Sequence, residues 1–192
     1  MNAVRAELTK LLTLPSLWIT AALTWTVTLL LRAVDAPGSV PAHTMPGLLV
    51  LGVLATAHEY QPGNQIRATL LAVPRRLPLA AAKFTALTVT AVPLATLVAL
   101  TGDDLATTPP LVLLILVAAA LGVLLRNPLT AVTTALTAYV ILGPLLRFRF
   151  PGTAAWLPDT AVHEPGRGLL AASLWAATAL LLAALALHRR DA

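Results

Sequence analysis

The sequence predicts an all-α protein that crosses a membrane six times, and its composition and its apolar runs support this fold class. Hydrophobic residues make up 58% of the 192 residues and charged residues only 11%, with a mean hydropathy of +0.83. Soluble domains carry about 25% charged residues. Six apolar runs follow one another along the chain, and a helix of about 20 apolar residues crosses the roughly 30 Å of hydrocarbon in a bilayer. The chain is therefore expected to be a polytopic membrane protein.

A short amphipathic helix is predicted over residues 3–13, before the first apolar run. Its apolar residues recur at helical spacing and its charged residues lie off that stripe. The stripe consists of Val4, Leu8, Leu11 and Leu12, and the charged residues are Arg5, Glu7 and Lys10. We expect this helix to lie in the membrane interface. The apolar run that follows is too long for a signal peptide.

The six predicted spans belong to a single transmembrane domain that covers residues 1–192. They comprise residues 15–31, 46–57, 84–100, 111–125, 129–146 and 168–187. The second and the fourth are shorter than a bilayer requires. They must therefore include flanking residues or thin the membrane locally.

The distribution of basic residues predicts the orientation, because cytoplasmic loops carry an excess of Lys and Arg. The richer side holds Arg5, Lys10, Arg67, Arg75, Arg76, Lys83, Arg126, Arg189 and Arg190, and the other holds Arg32, Arg147, Arg149 and Arg167. Both termini are therefore predicted to be cytoplasmic. Arg outnumbers Lys 11 to 2, which is typical of GC-rich coding DNA and indicates a bacterial cytoplasmic membrane.

The stretch from His58 to Lys83 is the one long polar interruption of this apolar sequence. Pro62 and Gly63 break any helix that continues from the second span. A short helix is predicted over Gln65 to Val73, with a turn from Pro74 to Pro78 after it. This helix is either a docking surface for another protein or an ordinary loop whose apolar residues lie against the headgroups.

The segment from Phe148 to Gly168 lies between the fifth and sixth predicted spans and is too apolar for a plain loop. Its aromatic residues can enter the interface, with Arg147 and Arg149 near the headgroups. The segment is either a re-entrant element or an aromatic anchor with no role in transport.

Several chemical functions are unsupported because their motifs are missing from the sequence. A glycine-rich phosphate loop is absent, so the chain is not expected to bind or hydrolyse ATP, and it is not predicted to be an enzyme. The four histidines lack metal-ligand spacing and there is no cysteine, so no metal site is predicted. No basic cluster alternates with stacking aromatic residues, which excludes nucleic acid as an expected partner. The predicted spans carry no acid or base near their middle, which argues against a proton-coupled carrier.

Threonines recur at helical spacing in two predicted spans. They are Thr20, Thr24 and Thr28 in the first span and Thr130, Thr134 and Thr137 in the fifth. Such a stripe faces other helices or a polar path rather than lipid. The commoner explanation is packing, with each hydroxyl bonded to the carbonyl one turn earlier.

Three stretches resemble one family, the permeases of ABC-2 type transporters. The central stretch resembles the segment between the second and third helices of that family in Glu59-Tyr60, Gly63, Ile66-Arg67, Leu70-Leu71, Pro74-Arg75-Arg76 and Ala81-Ala82-Lys83. Glu7 to Leu11 resembles the E-x-x-K-L start of the family, and Arg189 to Asp191 its R-R-D close. Asn64 and Gln65 depart from the pattern, since the family often has a small residue and Thr there.

The resemblance implies a membrane permease subunit of an ATP-driven exporter that works by alternating access. It implies a separate ABC ATP-binding subunit that supplies ATP and Mg, and a second permease copy or paralogue as homo- or heterodimer partner. The residues implied to couple to the ATPase are Glu59, Gly63, Ile66, Arg67, Leu70, Val73, Arg75 and Arg76, and the threonine stripes are the implied translocation path. The alternative is a non-transporting membrane scaffold or interaction protein of the same architecture.

Overall fold

The computed structural model describes residues 3–35, 40–61 and 76–190, and these residues form helices joined by short turns. Six of the helical segments are long and apolar enough to cross a membrane. The predicted all-α class and the number of spans are therefore confirmed. The chain is a multi-pass membrane protein.

The helices of the described part are named in chain order. They are α1 (Ala3–Leu12), α2 (Pro15–Ala33), α3 (Val40–Ala57), α4 (Arg76–Thr101), α5 (Thr108–Leu125), α6 (Pro128–Leu136), α7 (Gly143–Arg149), α8 (Thr160–His163) and α9 (Pro165–Arg190). Three 3-10 helices cover His58–Tyr60, Leu105–Thr107 and Pro151–Trp156, and a π-helix covers Thr137–Leu142 between α6 and α7. The six membrane-crossing segments are α2, α3, α4, α5, the continuous α6 to α7 segment, and α9.

Helices α3 and α5 form the centre of the bundle and are buried over most of their surface, whereas the other spans expose most of theirs. Two glycines let their backbones approach closely. A Cβ on Gly52 would lie 2.4 Å from the carbonyl oxygen of Ile115, and one on Gly122 would lie 2.3 Å from Oγ1 of Thr56. Thr56 also donates a hydrogen bond of 2.8 Å from Oγ1 to the carbonyl oxygen of Ala119. Small residues at a helix contact are a common way to pack spans in lipid, where the hydrophobic effect does not drive helices together.

The two ends of the bundle differ in composition. One end of the bundle is formed by α1, residues 58–61, the start of α4 and the turn at Arg126 and Asn127. We call it the α1 end. The opposite end, formed by residues 34–35, 102–107 and 149–168, is called the far end. At the α1 end α5 stops at Arg126, which takes a left-handed φ of 54°. Asn127 then starts α6, because its Oδ1 accepts a hydrogen bond of 3.1 Å from the amide of Thr130.

The second and fourth spans obtain their missing length from flanking residues. Helix α3 begins at Val40, upstream of the predicted start, and contains Pro46 in its interior. The fourth span includes the 3-10 turn before α5 and starts at Leu105. Proline usually breaks a helix, so the second span was predicted to begin at Pro46. In the structure, α3 continues through this residue.

The fifth span is not a continuous α-helix, because the π-helix Thr137–Leu142 interrupts it. Pro144 follows closely in the sequence. Its ring would clash with the carbonyl one turn earlier in a regular α-helix, and it has no N–H to donate. A wider turn before the proline relieves both problems, and such π segments occur frequently at functional sites.

Helix α4 begins inside the predicted Pro74 to Pro78 turn, at Arg76. Pro78 is tolerated there, since the first-turn amides of a helix have no intrahelical acceptor. Residues 62–75 of the central stretch, including the predicted helix from Gln65 to Val73, lie outside the described residues.

The segment between the fifth and sixth spans folds back against the bundle. Helix α8 is short, and Thr160, Ala161 and Val162 are buried in it. Helix α8 contacts α3, α5 and α9. A Cβ on Gly168 would lie 2.2 Å from the amide nitrogen of Ala161, so only glycine fits where α9 crosses α8.

Candidate functional site

Four charged side chains meet inside the α1 end of the bundle. Glu7 and Lys10 come from α1, Glu59 from the 3-10 turn that ends the second span, and Lys83 from the second turn of α4. Glu7 and Lys10 share a face of α1 because they are three residues apart. We call these four residues the charge cluster.

Glu59 is the centre of the charge cluster, because both lysines donate to its Oε1 atom. Nζ of Lys10 lies 2.5 Å from this atom, and Nζ of Lys83 makes a shorter contact with it. Glu7 completes the ring through Oε2, which lies 3.5 Å from Nζ of Lys83 and 3.6 Å from Nζ of Lys10. Two carboxylates therefore face two ammonium groups, and the cluster has no formal net charge.

The charge cluster is almost entirely removed from solvent. The Glu59 side chain is 1% exposed, that of Lys83 4% and that of Glu7 6%, while Lys10 reaches the surface with 21% exposed. Removing one partner of such a buried pair costs roughly 3 to 5 kcal/mol, since it leaves an uncompensated charge inside the protein. The cluster thus holds α1, the end of α3 and the start of α4 in one arrangement.

Sequence reasoning identified only one member of this cluster as a site residue. The resemblance assigned Glu59 to ATPase coupling, and its partners in the structure are the two lysines of the chain. Lys83 was predicted only to mark the cytoplasmic side, yet it is buried. The spacing of Glu7 and Lys10, together with a lysine at the start of an apolar run, was the signal in the sequence.

A second interaction ties the end of the second span to the turn between α5 and α6. The guanidinium carbon of Arg126 lies 5.4 Å from the centre of the Tyr60 ring, which is within the range of a cation–π contact. The neighbouring His58 ring contacts the carbonyl oxygen of Leu54 at 3.0 Å through Nδ1. The short 3-10 turn His58–Tyr60 therefore contacts elements from both halves of the chain.

Most of the residues that resemble the family's coupling segment fall between Tyr60 and Arg76 in the sequence. Gly63, Ile66, Arg67, Leu70, Val73 and Arg75 lie outside the described residues. Arg76 starts α4. Glu59 and Lys83 flank this segment, and the structure brings these two together.

The first threonine stripe packs inside the chain. Thr24 is 6% exposed and Thr28 is fully buried, and a Cβ on Gly47 of α3 would lie 2.3 Å from Oγ1 of Thr24. Thr20, Thr24 and Thr28 each donate a hydrogen bond of 2.8 Å to the carbonyl one turn earlier. These are the contacts expected of packing threonines.

The second threonine stripe has a different environment. Thr130, Thr134 and Thr137 are exposed on α6 and at the start of the π-helix. Their hydroxyl groups donate no hydrogen bond to any residue that the structure describes, whereas the hydroxyl of the adjacent Thr133 bonds to the carbonyl of Leu129 at 3.0 Å. A hydroxyl without a partner is unfavourable against lipid. This face therefore suits a polar path or another polypeptide better than hydrocarbon.

A second buried ion pair lies at the far end. Arg147 donates to Oδ2 of Asp159, whose side chain is 2% exposed. Gly143 makes room for this carboxylate, because a Cβ there would lie 2.9 Å from the same oxygen. Oδ1 of Asp159 and the hydroxyl of Tyr139 are buried without a hydrogen-bond partner among the described residues. The pair fastens the end of the fifth span to the segment that leads into α8.

Within the described ranges, acids and histidines form no group that could hold a metal ion. Comparison of the chain with protein-family models, with curated proteins and with solved structures gives no match.

Proposed function

We propose that this chain is the permease subunit of an ATP-driven ABC-2 type exporter, located in a bacterial cytoplasmic membrane with both termini in the cytoplasm. A separate ABC subunit would bind ATP and Mg, and a second permease copy or paralogue would complete the transporter. The resemblance of the central stretch and of residues 7–11 to this family motivates the proposal. The absence of a phosphate loop from the sequence agrees with an ATPase on another chain.

The observation that carries the proposal is the charge cluster. Most of the residues that the resemblance assigns to ATPase contact fall within residues 62–75, and Glu59 and Arg76 lie just outside them. Glu59 precedes this segment and Lys83 follows it, and their side chains form an ion pair. The two helices that flank the segment are thereby joined to each other and, through Glu7 and Lys10, to α1.

The ion pairs of the charge cluster would transmit a movement of this segment to the spans. A push on the segment between Glu59 and Lys83 would move the ends of α3 and α4 together, since the ion pairs resist their separation. Helix α3 packs closely on α5 through Gly52 and Gly122, so the movement would pass to the centre of the bundle. Alternating access needs two such discrete arrangements of the spans, with ATP binding favouring one of them.

The exposed threonine face is the part of the proposed translocation path that the geometry supports best. Thr130, Thr134 and Thr137 present hydroxyl groups that donate to no described residue, just before and at the start of the π-helix. In an assembly of two permease chains this face would border the polar path. The first stripe, Thr20 to Thr28, packs against α3 and contributes less.

The test is co-expression of the tagged chain with the candidate ATPase, followed by pull-down and measurement of ATP hydrolysis in proteoliposomes. Leu70→Asp should abolish co-purification, because the predicted contact buries an apolar stripe of Ile66, Leu70 and Val73. Ala68→Asp is the matched control, since residue 68 lies on the opposite face of the predicted helix. Each variant must be shown to insert into the membrane.

The results separate the exporter from the alternative scaffold. Loss of the ATPase with Leu70→Asp alone, and hydrolysis only in the complex, would support the permease subunit. ATP hydrolysis by the isolated chain, or equal capture by both variants, would contradict it. Glu59→Gln gives a second readout: it should retain the ATPase and lower transport-coupled hydrolysis, because it weakens the link between the segment and the spans.

A further inference from the structure

An open apolar groove lies between the far-end segment and the sixth span. It has a volume of about 320 Å³ and is lined by Trp156, Ala171, Leu174, Trp175 and Thr178. Binding sites for small ligands begin at roughly this volume. Trp156 forms one wall, and its carbonyl oxygen accepts a hydrogen bond of 3.0 Å from Nε1 of Trp175, which forms the other. A hydrogen bond therefore joins the two walls of the groove.

The groove runs along α9 at the depth of one membrane leaflet. The sixth span begins at Gly168, and a helix rises about 1.5 Å per residue. Trp175 lies about 10 Å and Thr178 about 15 Å below Gly168 by this measure, and half of the hydrocarbon thickness is also about 15 Å. The groove thus extends from the interface at the far end to near the middle of the bilayer.

Among the described residues, a cation without a carboxylate partner precedes the 3-10 helix that ends at Trp156, one wall of the groove. Arg149 ends α7, and its guanidinium carbon lies 6.0 Å from the centre of the Phe150 ring. The ion pairs of the described far end are Arg32 with Asp103 and Arg147 with Asp159, so Arg149 has no carboxylate at ion-pair distance. The 3-10 helix Pro151–Trp156 follows at once and contacts both α7 and α9.

We propose that this groove binds one acyl chain of a glycerophospholipid whose phosphate is held by Arg149, with a preference for anionic headgroups. The distance fits a single lipid molecule. Six residues of 3-10 helix rise about 12 Å, and one leaflet with its headgroups is about 20 Å thick. A lipid with its phosphate at Arg149 can therefore reach Trp175 and Thr178 with its chain.

The chemistry of the groove favours a lipid chain over a polar ligand. Thr178 contributes the one polar side chain of the lining, and the other four residues are apolar or aromatic. Arginine binds phosphate oxygens through its planar fork of N–H donors. The lipid site requires neither an ATPase nor transport, so its test does not depend on the exporter proposal.

Tryptophan fluorescence can test the site directly, because bromine atoms on a lipid chain quench nearby indole rings. Trp18 and Trp25 are replaced with Phe, which leaves Trp156 and Trp175 as reporters at the groove. The protein is reconstituted into phosphatidylcholine that contains a fixed fraction of either brominated phosphatidylglycerol or brominated phosphatidylcholine. The reciprocal variant, which keeps Trp18 and Trp25 on α2, reports contact with bulk lipid.

We expect brominated phosphatidylglycerol to quench the groove reporters with about a five-fold higher apparent affinity than brominated phosphatidylcholine, since one Arg near an anionic lipid contributes about that factor. Arg149→Gln should remove the preference at the groove reporters and leave the α2 reporters unchanged. Glu164→Gln is the charge control at the same end, and the preference should persist in it. Thr178→Phe, which fills the groove, should reduce quenching by both lipids, whereas Leu170→Phe, on an exposed position of α9 outside the groove, should not.

Equal quenching by both lipids, or a preference that survives Arg149→Gln, would overturn the phosphate assignment. Quenching that is unchanged in Thr178→Phe would overturn the groove as the chain site. A second copy of this chain is the competing occupant. Because the chain has no cysteine, Leu174→Cys tests it: efficient disulfide dimers in the membrane, together with weak quenching, would mean that protein covers the groove.

Discussion

Lys83 donates from Nζ to Oε1 of Glu59 inside the protein, with 4% of the Lys83 side chain and 1% of the Glu59 side chain exposed. The two residues belong to the second and third spans. Because buried charged groups are costly unless they are paired, this ion pair fixes the place where the two helices meet.

Replacing Lys83 with Met should lower stability strongly. In this variant Lys10 is the one cation of the charge cluster that remains for Glu59. Glu7 keeps only its 3.6 Å contact with Lys10. We expect a loss of roughly 3 to 5 kcal/mol, the usual cost of removing one partner of a buried pair. The midpoint of thermal unfolding in detergent measures it. In the double variant Lys83→Met with Glu59→Gln, the loss should be clearly smaller than the sum of the single losses.

The pair of Arg32 and Asp103 provides the control for that measurement. Its side chains are 52% and 66% exposed, and exposed pairs contribute about 0 to 1 kcal/mol. Arg32→Gln should therefore leave the unfolding midpoint nearly unchanged. Equal effects of Arg32→Gln and Lys83→Met would show that burial of the charge cluster does not matter for stability.

Adding a methyl group at Gly52 should separate the two central helices. Its Cβ would lie 2.4 Å from a backbone oxygen of α5, which cannot move without moving that helix. Gly52→Ala is expected to cost roughly 1 to 3 kcal/mol, the usual cost of overpacking. Gly152→Ala is the matched control, since nothing lies within 4 Å of a Cβ at that position. A variant Gly52→Ala as stable as Gly152→Ala would contradict the close contact of α3 and α5.

Replacing Tyr139 with Phe should stabilise the protein. The ring is 5% exposed and its hydroxyl has no partner among the described residues. A buried polar group without a hydrogen bond costs about 1 to 3 kcal/mol, and Phe removes this cost while it keeps the ring. The thermal midpoint should rise by a few degrees. A lower midpoint would mean that the hydroxyl is bonded, for example to an internal water.

The exposed threonine face can be tested with an isosteric replacement. Thr134→Val removes a hydroxyl group that bonds to no described residue, and it should lower ATP hydrolysis by the proposed transporter complex without reducing the stability of the isolated chain. Thr26→Val is the control, because Thr26 is also exposed and its hydroxyl bonds to the carbonyl of Ala22 at 2.9 Å. If both replacements behave alike in the complex, the face containing Thr134 is not a functional surface.

The orientation can be established with single cysteines, because the chain contains none. Asp103→Cys and Gly152→Cys, both exposed at the far end, should react with an impermeant thiol reagent in intact cells. Arg5→Cys, exposed on α1, should react after the membrane is opened. Asp159 is unsuitable for labelling, because it is buried in its pair with Arg147. Reaction of Arg5→Cys from outside would reverse the predicted orientation.

The number of spans could be read from the sequence because hydropathy over about 20 residues decides whether a helix can cross lipid. The ends of individual helices were harder to predict. Pro46 looked like a boundary, yet α3 continues through it, since neighbouring helices in a bundle can satisfy the backbone groups that a proline leaves free. The π-helix before Pro144 was not predicted, because its six residues are too few to leave a recognisable periodicity in the sequence.

The charge cluster shows why sites are harder to predict than spans. Glu59 stood out because it interrupts an apolar region, but its partners lie 49 and 24 residues away in the sequence. The packing of α1 against α4 decides which cations reach it, and a single sequence carries no direct record of that packing. The two threonine stripes both have helical spacing, and the tertiary structure distinguishes the stripe that packs inside the chain from the stripe that is exposed.

The charge cluster also imposes an order on the synthesis of this protein. Glu7 and Lys10 leave the ribosome first, Glu59 follows at the end of the second span, and Lys83 comes only with the third. Until the third span has entered the bilayer, Glu59 lacks its most buried partner and must stay at the lipid boundary, because a lone charge in hydrocarbon costs several kcal/mol. The N-terminal helix can therefore take up its final place only after that step. A nascent chain halted earlier holds the two carboxylates of Glu7 and Glu59 against the single ammonium group of Lys10, so one negative charge stays without a cation.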